Sequence, residues 1–484
     1  MLALINGVVW HRGSPATALA VDGERIVAIG ADHEIRSPLP SGSRAIDARG
    51  GTIMPAFNDA HVHFLMASRS LGELDLFGAI TQREIEQRIS DYTRAHVGPW
   101  IVGRGWFYSA FPGGMPSHEL LDRLVPDRPA YLESFDAHTG WANTRALAIA
   151  GLDGSGVLKE AAMLGVTSHI PRRTQAQDLD ALRAGMRLAA SRGVASVQEA
   201  GHGLEQLPLW DSLREAGELT LRVRLAFDMV PGLDAHAWKS RLDVYQVAAR
   251  TDAWISTGIL KAFADGVVES RTAALREPYA GTSERGAPLW EADELAEAIH
   301  AADARGWQVQ VHAIGDAAIS QALDAFEGTS PGRRHRVEHI EAPATADIPR
   351  FARLGVIASM QPQHAEPTMI EIWRQNLGPD RAANGWPWRT ILESGARLAF
   401  GTDWPVVPLE PFASLRVATD RHAAQRLSVE EAIKAWTSGS AYAEHTEHQK
   451  GELREGMLAD IIVCDLNQGV VNATIVGGQV VYER

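Results

Sequence analysis

His61 and His63 stand two residues apart, directly after the run Thr52-Ile-Met-Pro-Ala-Phe-Asn-Asp-Ala. Side chains two apart on a β-strand point to the same side. Two imidazoles so placed are one half of a metal site. The plainer alternative is two histidines that merely share the polar face of a strand. Four further residues shift the balance: Lys261, His312, His339 and Asp403 each lie at or near the end of a strand-like segment. A single histidine in such a place is commonly a satisfied core or rim group. Six candidates in strand order are a far stronger signal than any one.

The phase of each segment supports this reading. In Trp307-Gln-Val-Gln-Val-His, the apolar residues Trp307, Val309 and Val311 share one face, and Gln308, Gln310 and His312 share the other. His339 ends Arg336-Val-Glu-His. Asp403 ends Arg397-Leu-Ala-Phe-Gly-Thr-Asp, in phase with Ala399 and Gly401. Lys261, in Gly258-Ile-Leu-Lys-Ala-Phe-Ala-Asp-Gly, is a lysine in an apolar strand, which is costly unless paired or modified. Asp59 is in phase with both first histidines and is a weaker candidate to support them.

The elements that must position these groups are legible as alternating strands and helices. Strands are expected near 53–63, 193–200, 221–229, 255–265, 307–313, 335–340, 356–361 and 397–403. A helix is expected over Asp293–Gly306, with Leu295, Ile299 and Ala302 on one face and Gly306 as its stop. Eight strands with helical crossovers predict a (β/α)₈ TIM-like barrel, an α/β fold whose active groups sit at the C-terminal strand ends. A doubly wound sheet is the rival. Residues 1–52 and 449–484 read as short strands around turns, and are expected to pair into one small β-sandwich domain. The barrel domain then spans 53–448. Residues about 65–190 are too long for one crossover and are expected as an insertion over the active site. That insertion holds a capping box at Thr81 and Glu84, and the aromatic segment Tyr131-Leu-Glu-Ser-Phe-Asp-Ala-His-Thr-Gly-Trp-Ala-Asn.

The 484 residues carry 46 basic and 60 acidic side chains, a formal charge of −14. This argues against nucleic acid or an anionic membrane as the main partner. No apolar run is long enough to span a bilayer. The N-terminal Met1–Gly7 lacks a basic segment ahead of an apolar stretch, so no signal peptide is expected. The one cysteine, Cys464, lies in an apolar strand, reads as a buried small hydrophobe and fits a reducing, cytoplasmic setting. His445 and His448 have helical spacing, but their neighbours Glu444, Glu447 and Gln449 suggest a solvated face.

Taken together, Phe57-Asn-Asp-Ala-His-Val-His, Asp136-Ala-His-Thr-Gly-Trp-Ala-Asn, Lys261-Ala-Phe-Ala-Asp-Gly, Val311-His-Ala-Ile-Gly-Asp, Arg336-Val-Glu-His-Ile and Gly401-Thr-Asp-Trp-Pro-Val resemble the amidohydrolase superfamily of metal-dependent hydrolases. The chain is similar to the branch that includes N-substituted formamide deformylase. The resemblance covers nearly the whole chain and departs from the usual pattern at Ala56, where a glycine is common. It implies two divalent cations, one held by His61, His63 and Asp403 and the other by His312 and His339. Lys261, carboxylated to a carbamate, would bridge them. Imidazole and carboxylate ligands suit Zn²⁺ first, and Mn²⁺, Fe²⁺ or Co²⁺ as well.

The resemblance also implies the chemistry: a hydroxide bridging the metals attacks a carbonyl carbon, with Asp403 acting as base and then as acid. His138 is expected to touch the substrate or its oxyanion; the alternative is a structural cap on the insertion. Trp141 and Asn143 belong to the same segment, and Trp404 is expected to line an apolar pocket. Mononuclear deaminases of the superfamily carry Glu three residues after the fifth-strand histidine. Here that position is Gly315, with Asp316 one residue late, which disfavours a deaminase. The leading expectation is hydrolysis of a linear C–N amide bond in a small N-acyl or N-formyl amine, aromatic or apolar in character. An esterase, a lactonase or a cyclic amidase would use the same site, and a metal-free scaffold protein is a third alternative. A homodimer is the default oligomer.

Overall fold

The apolar runs form eight parallel strands. In the computed structural model, which describes residues 1–10, 15–367 and 370–484, these are β1 (Phe57–Val62), β2 (Val194–Glu199), β3 (Arg222–Asp228), β4 (Ile255–Phe263), β5 (Gln308–Ala313), β6 (Arg336–His339), β7 (Ile357–Met360) and β8 (Leu398–Phe400). They pair in chain order, each parallel to the next. Helices cross over outside them, among them Ala292–Ala304, which buries Leu295, Ala298, Ile299 and Ala302. Nearly every residue of these strands is buried, as expected where helices cover one face and the barrel interior fills the other.

The two ends of the sheet meet. The Asp403 N–H donates to the His61 carbonyl (2.7 Å), and the His63 N–H donates to the Trp404 carbonyl (2.9 Å). Gly401 lets this seam close: a Cβ there would lie 2.5 Å from the His61 backbone nitrogen. The sheet is therefore a barrel and not a doubly wound sheet. Arg336, fully buried, ties the interior together. It donates to Gln198 of β2, to the Ala60 carbonyl of β1, to Ser359 of β7 (3.0 Å) and to Glu338 of its own strand (2.8 Å).

The chain ends build two small sheets. Leu2–Ile5, Ala18–Asp22, Arg25–Gly30 and Arg44–Asp47 form one. Val8–Val9 and Thr52–Pro55 join Ile461–Asp465, Val470–Val476 and Gln479–Glu483 in the other. Leu4, Leu19, Val21, Ile53, Ile461 and Ile475 pack in one core between them, so both termini make one β-sandwich. Cys464, on the other face of its strand, is buried against the main core, as expected of a small hydrophobe.

Between β1 and β2 the insertion carries a five-stranded sheet: Leu74–Asp75, Ile101–Trp106, Ala130–Ser134, Thr139–Ala142 and Val157–Lys159. Helix Gln82–Ala95 starts at Thr81 with the capping box to Glu84. The sheet was not legible in advance, because its strands are short and one of them is broken by Gly103 and Gly105. Gly105 has φ +93°, and Gly103 lets Leu74 approach. His445 and His448 are not on a helix, since the last helical turn ends at Ala443. His445 is half-buried, with Nε2 3.3 Å from the Arg333 carbonyl. Among the described residues, no helix is long and apolar enough to cross a membrane.

Candidate metal centre at the barrel mouth

The six predicted ligands gather at the C-terminal ends of β1, β4, β5, β6 and β8. His61 lies within β1 and His63 just past its end, with ring centroids 5.7 Å apart. Both present Nε2 to Asp403 Oδ1 at 3.5 Å. Among the described residues, buried Asp403 Oδ1 has no hydrogen-bond donor, and neither ring nitrogen of His339 has a hydrogen-bond partner. His339 Nδ1 lies 3.9 Å from Asp403 Oδ2. The His339 ring is 4.8 Å from that of His61 and 4.4 Å from that of His312. Orphaned buried acceptors are costly unless a cation or water satisfies them, so the donor set fits divalent metal.

Burial, reinforced by the positive charge of Lys261 or by neighbouring histidines, holds the imidazoles of His61, His63, His312 and His339 well below their usual pKa. They are neutral, as cation ligands must be. Burial pushes the Asp403 carboxyl up to about 6. Lys261 is buried, with Nζ 3.4 Å from His61 Nε2 and 4.5 Å from the centre of the Phe263 ring. Among the described residues no carboxylate pairs with it, and burial lowers its pKa to about 8. Such an ammonium is unfavourable where it stands. His312 is turned partly aside: its Nε2 is 3.1 Å from the Gly266 carbonyl and 3.6 Å from Asp265 Oδ1.

The backbone at the site is unusual. His339 (φ +74°), Asp403 (φ +63°) and Ala137 beside His138 (φ +62°) all adopt left-handed conformations without being glycine. Such backbone persists only where surrounding structure over-determines it. Asp59 supplies part of that support. Its carboxylate accepts the N–H groups of His61 (3.2 Å) and Thr402 (3.0 Å) and the Thr402 hydroxyl (2.6 Å), joining both sides of the seam.

The sequence profile of the amidohydrolase family matches residues 44–482. The chain belongs to this family. It is 28% identical to the protein LONG AFTER FAR-RED 3 of Arabidopsis thaliana, over 99% of this chain and 91% of that one. It is 24% identical to the N-substituted formamide deformylase of Arthrobacter pascens, over 100% of this chain and 98% of the relative. Among solved structures it is similar to a metal-dependent hydrolase from Pyrococcus furiosus, with a TM-score of 0.76 and 28% identity, over 96% of this chain and 99% of that one.

In this amidohydrolase His63, His312, His339 and Asp403 open into a cavity of about 1230 Å³. His138 lines it, 5.7 Å from the His312 ring. Burial opposes its charge, but the hydrogen bond and charge of Glu160 (2.9 Å from Nδ1) prevail, and its pKa rises to about 9. The other residues of that segment play structural parts. Asn143 caps helix Thr144–Ala150, and Trp141 packs on Phe111 and donates to the Ser117 carbonyl. Trp404 packs edge-on against Phe64 in the core and does not line the cavity. Met66, Leu164, Val230, Phe263 and Leu289 line the cavity and are among the large apolar side chains exposed to solvent.

Several residues at the centre escaped the sequence reading. Glu338 holds His61 Nδ1 at 2.6 Å. The signal available was its place in the strand of His339, two residues from Arg336 and hence on the inner face. Glu160 lies far along the insertion and carried no signal. His364, in Gln361-Pro-Gln-His just past β7, stands beside His339 with its ring nearly parallel (13°).

Proposed function

We propose that this amidohydrolase cleaves a linear C–N amide bond in small, largely apolar N-acyl or N-formyl amines. The observation that carries the reading is Asp403, buried between His61 and His63 on one oxygen and His339 on the other. Two divalent cations, zinc in the first instance, would be held by His61, His63 and Asp403 and by His312 and His339, with a carboxylated Lys261 between them. When bound, they would supply Lewis acidity toward a carbonyl oxygen and lower the pKa of water. Carboxylation would turn a buried, unpaired ammonium into an anion suited to that role.

The chain's own groups complete the chemistry. The Asp403 carboxylate takes up the proton released by the attacking water and returns it to the departing nitrogen. His138, kept cationic by Glu160 at Nδ1, retains its Nε2–H to donate to the substrate oxygen as negative charge develops there. The exposed apolar side chains bind the body of the substrate, gaining about 25 cal/mol per Å² covered. The relative named as an N-substituted formamide deformylase supports the choice of amide over ester. The test is hydrolysis of N-formyl and N-acyl aromatic amines beside a cyclic imide, an aryl ester and a lactone, by metal-replete protein and by Lys261→Ala and Asp403→Ala. Amide cleavage lost in both variants is expected. Turnover of esters or lactones alone would overturn the amide assignment.

A further inference from the structure

Glu338 and Glu341 stand three residues apart on either side of His339, and each engages an imidazole. Glu338 Oε2 lies 2.6 Å from His61 Nδ1, which leaves His61 Nε2 facing Asp403 Oδ1 at 3.5 Å. Glu341 Oε1 lies 3.2 Å from His364 Nδ1, which leaves His364 Nε2 facing Asp403 Oδ2 at 3.8 Å. The arrangement is the same twice over: carboxylate, imidazole, shared aspartate. A carboxylate on the far nitrogen fixes the ring and its tautomer, and is the usual support of a metal-binding histidine. Glu341 is itself fixed, its Oε2 accepting the Trp373 indole N–H at 2.9 Å.

The free nitrogens agree with that pattern. Among the described residues, His364 Nε2 is buried without a hydrogen-bond partner, as are both ring nitrogens of His339. One ligand atom from each of His339, His364 and Asp403 lies within 4.8 Å of the other two. Donors each about 2.1 Å from one ion lie no more than about 4.2 Å apart. The separations of 3.8 Å and 3.9 Å to Asp403 Oδ2 fall inside that limit. His312, in contrast, has Nε2 engaged by the Gly266 carbonyl.

We infer that His364 is a further metal ligand, holding the second cation together with His339 and Asp403, with Glu341 as its positioning residue. The inference rests on the hydrolase reading above and extends it by one ligand from the turn after the seventh strand. Asp403 then serves both cations, one on each carboxylate oxygen. A histidine directed only at substrate would leave metal binding unchanged when removed.

The test measures bound metal and not turnover. Wild-type protein, His364→Ala and Glu341→Gln are loaded with Zn²⁺ or Co²⁺, freed of excess ion and analysed for cations per chain, and the weaker site is titrated against a chelator. Circular dichroism checks folding, and Glu341→Gln, which preserves volume, remains informative should His364→Ala not fold. Two cations are expected in wild type and one in His364→Ala. In Glu341→Gln the second cation is expected to bind about ten to a hundredfold more weakly. A changed visible spectrum of the Co²⁺ protein in His364→Ala would support a ligand role. Two cations at unchanged affinity in both variants would overturn the inference while leaving the hydrolase reading intact. Wild-type protein that binds no cation would overturn both.

Discussion

His138 shows how a single side chain is tuned by partners far from it in sequence. Glu160, twenty-two residues on, meets Nδ1 at 2.9 Å and is itself held by the Thr272 hydroxyl at 2.6 Å. Burial alone would keep the imidazole neutral, and the adjacent carboxylate reverses this. If the cation donates to substrate oxygen, His138→Gln should lower kcat/KM about 10² to 10³-fold. Glu160→Gln, which keeps a hydrogen-bonding partner but removes the charge, should cost about tenfold. Neither should alter the number of bound cations, so metal analysis beside steady-state kinetics separates this role from a structural one. At this scale the sequence singled out His61, His63, Lys261, His312, His339 and Asp403 as candidates, because strand phase is a local property. It did not show Glu160, Glu341 or His364. Their places at the site depend on which loops meet at the mouth, and no periodicity records that.

The elements were legible where the hydrophobic pattern is strong. All eight barrel strands fall within the runs read from the sequence, and the helix at Ala292–Ala304 matches its apolar face. The sheet of the insertion was not, because short strands interrupted by glycine leave no sustained alternation. The seam between β1 and β8 is an element-scale device with a sharp consequence. A methyl group at position 401 would press on the His61 backbone and on Asp59 Oδ1. Gly401→Ala should therefore cost about 1–3 kcal/mol and weaken cation binding, since the same seam sets His61 against Asp403. Denaturant unfolding and metal analysis of the same preparation test both effects.

The contact between β5 and the residue before β6 makes stability depend on pH. His335, just before β6, accepts the Val309 N–H of β5 at Nδ1 (3.0 Å) and stacks on Phe326. Burial, assisted by Arg333 and His300 and opposed by Asp303, lowers its pKa to about 4. The unfolded chain, with an ordinary value near 6.5, takes up this proton first on acidification. The contribution to stability is thus complete above pH ~6.5 and is lost as pH falls toward ~4, to a total of about 3 kcal/mol. His335→Asn should flatten that part of the stability profile. An unchanged slope in denaturant midpoints between pH 7 and 4 would count against it.

At the scale of the whole molecule, the sandwich built from both termini must stay seated on the barrel, and a buried ion pair between Arg222 and Asp460 spans the joint. Arg222, the first residue of β3, donates to Asp460 through Nε (2.8 Å) and an Nη (3.1 Å). Asp460 directly precedes the terminal strand Ile461–Asp465 and also accepts the Gly477 N–H at 2.9 Å. The Arg222 guanidinium lies 4.3 Å from the centre of the Trp254 ring. Both charged side chains are almost fully withdrawn from water. Breaking such a pair leaves an uncompensated buried charge, whereas replacing both members by apolar residues removes the desolvation cost along with the attraction. Asp460→Leu or Arg222→Met alone should destabilise by about 3–5 kcal/mol. The double variant should recover most of that loss, apart from the bond to Gly477, which it cannot restore. Chemical denaturation of the three variants is the measurement. A double variant as unstable as the sum of the singles would mean that hydrogen bonds to the backbone, and not the charge pair, hold the terminal sheets in place.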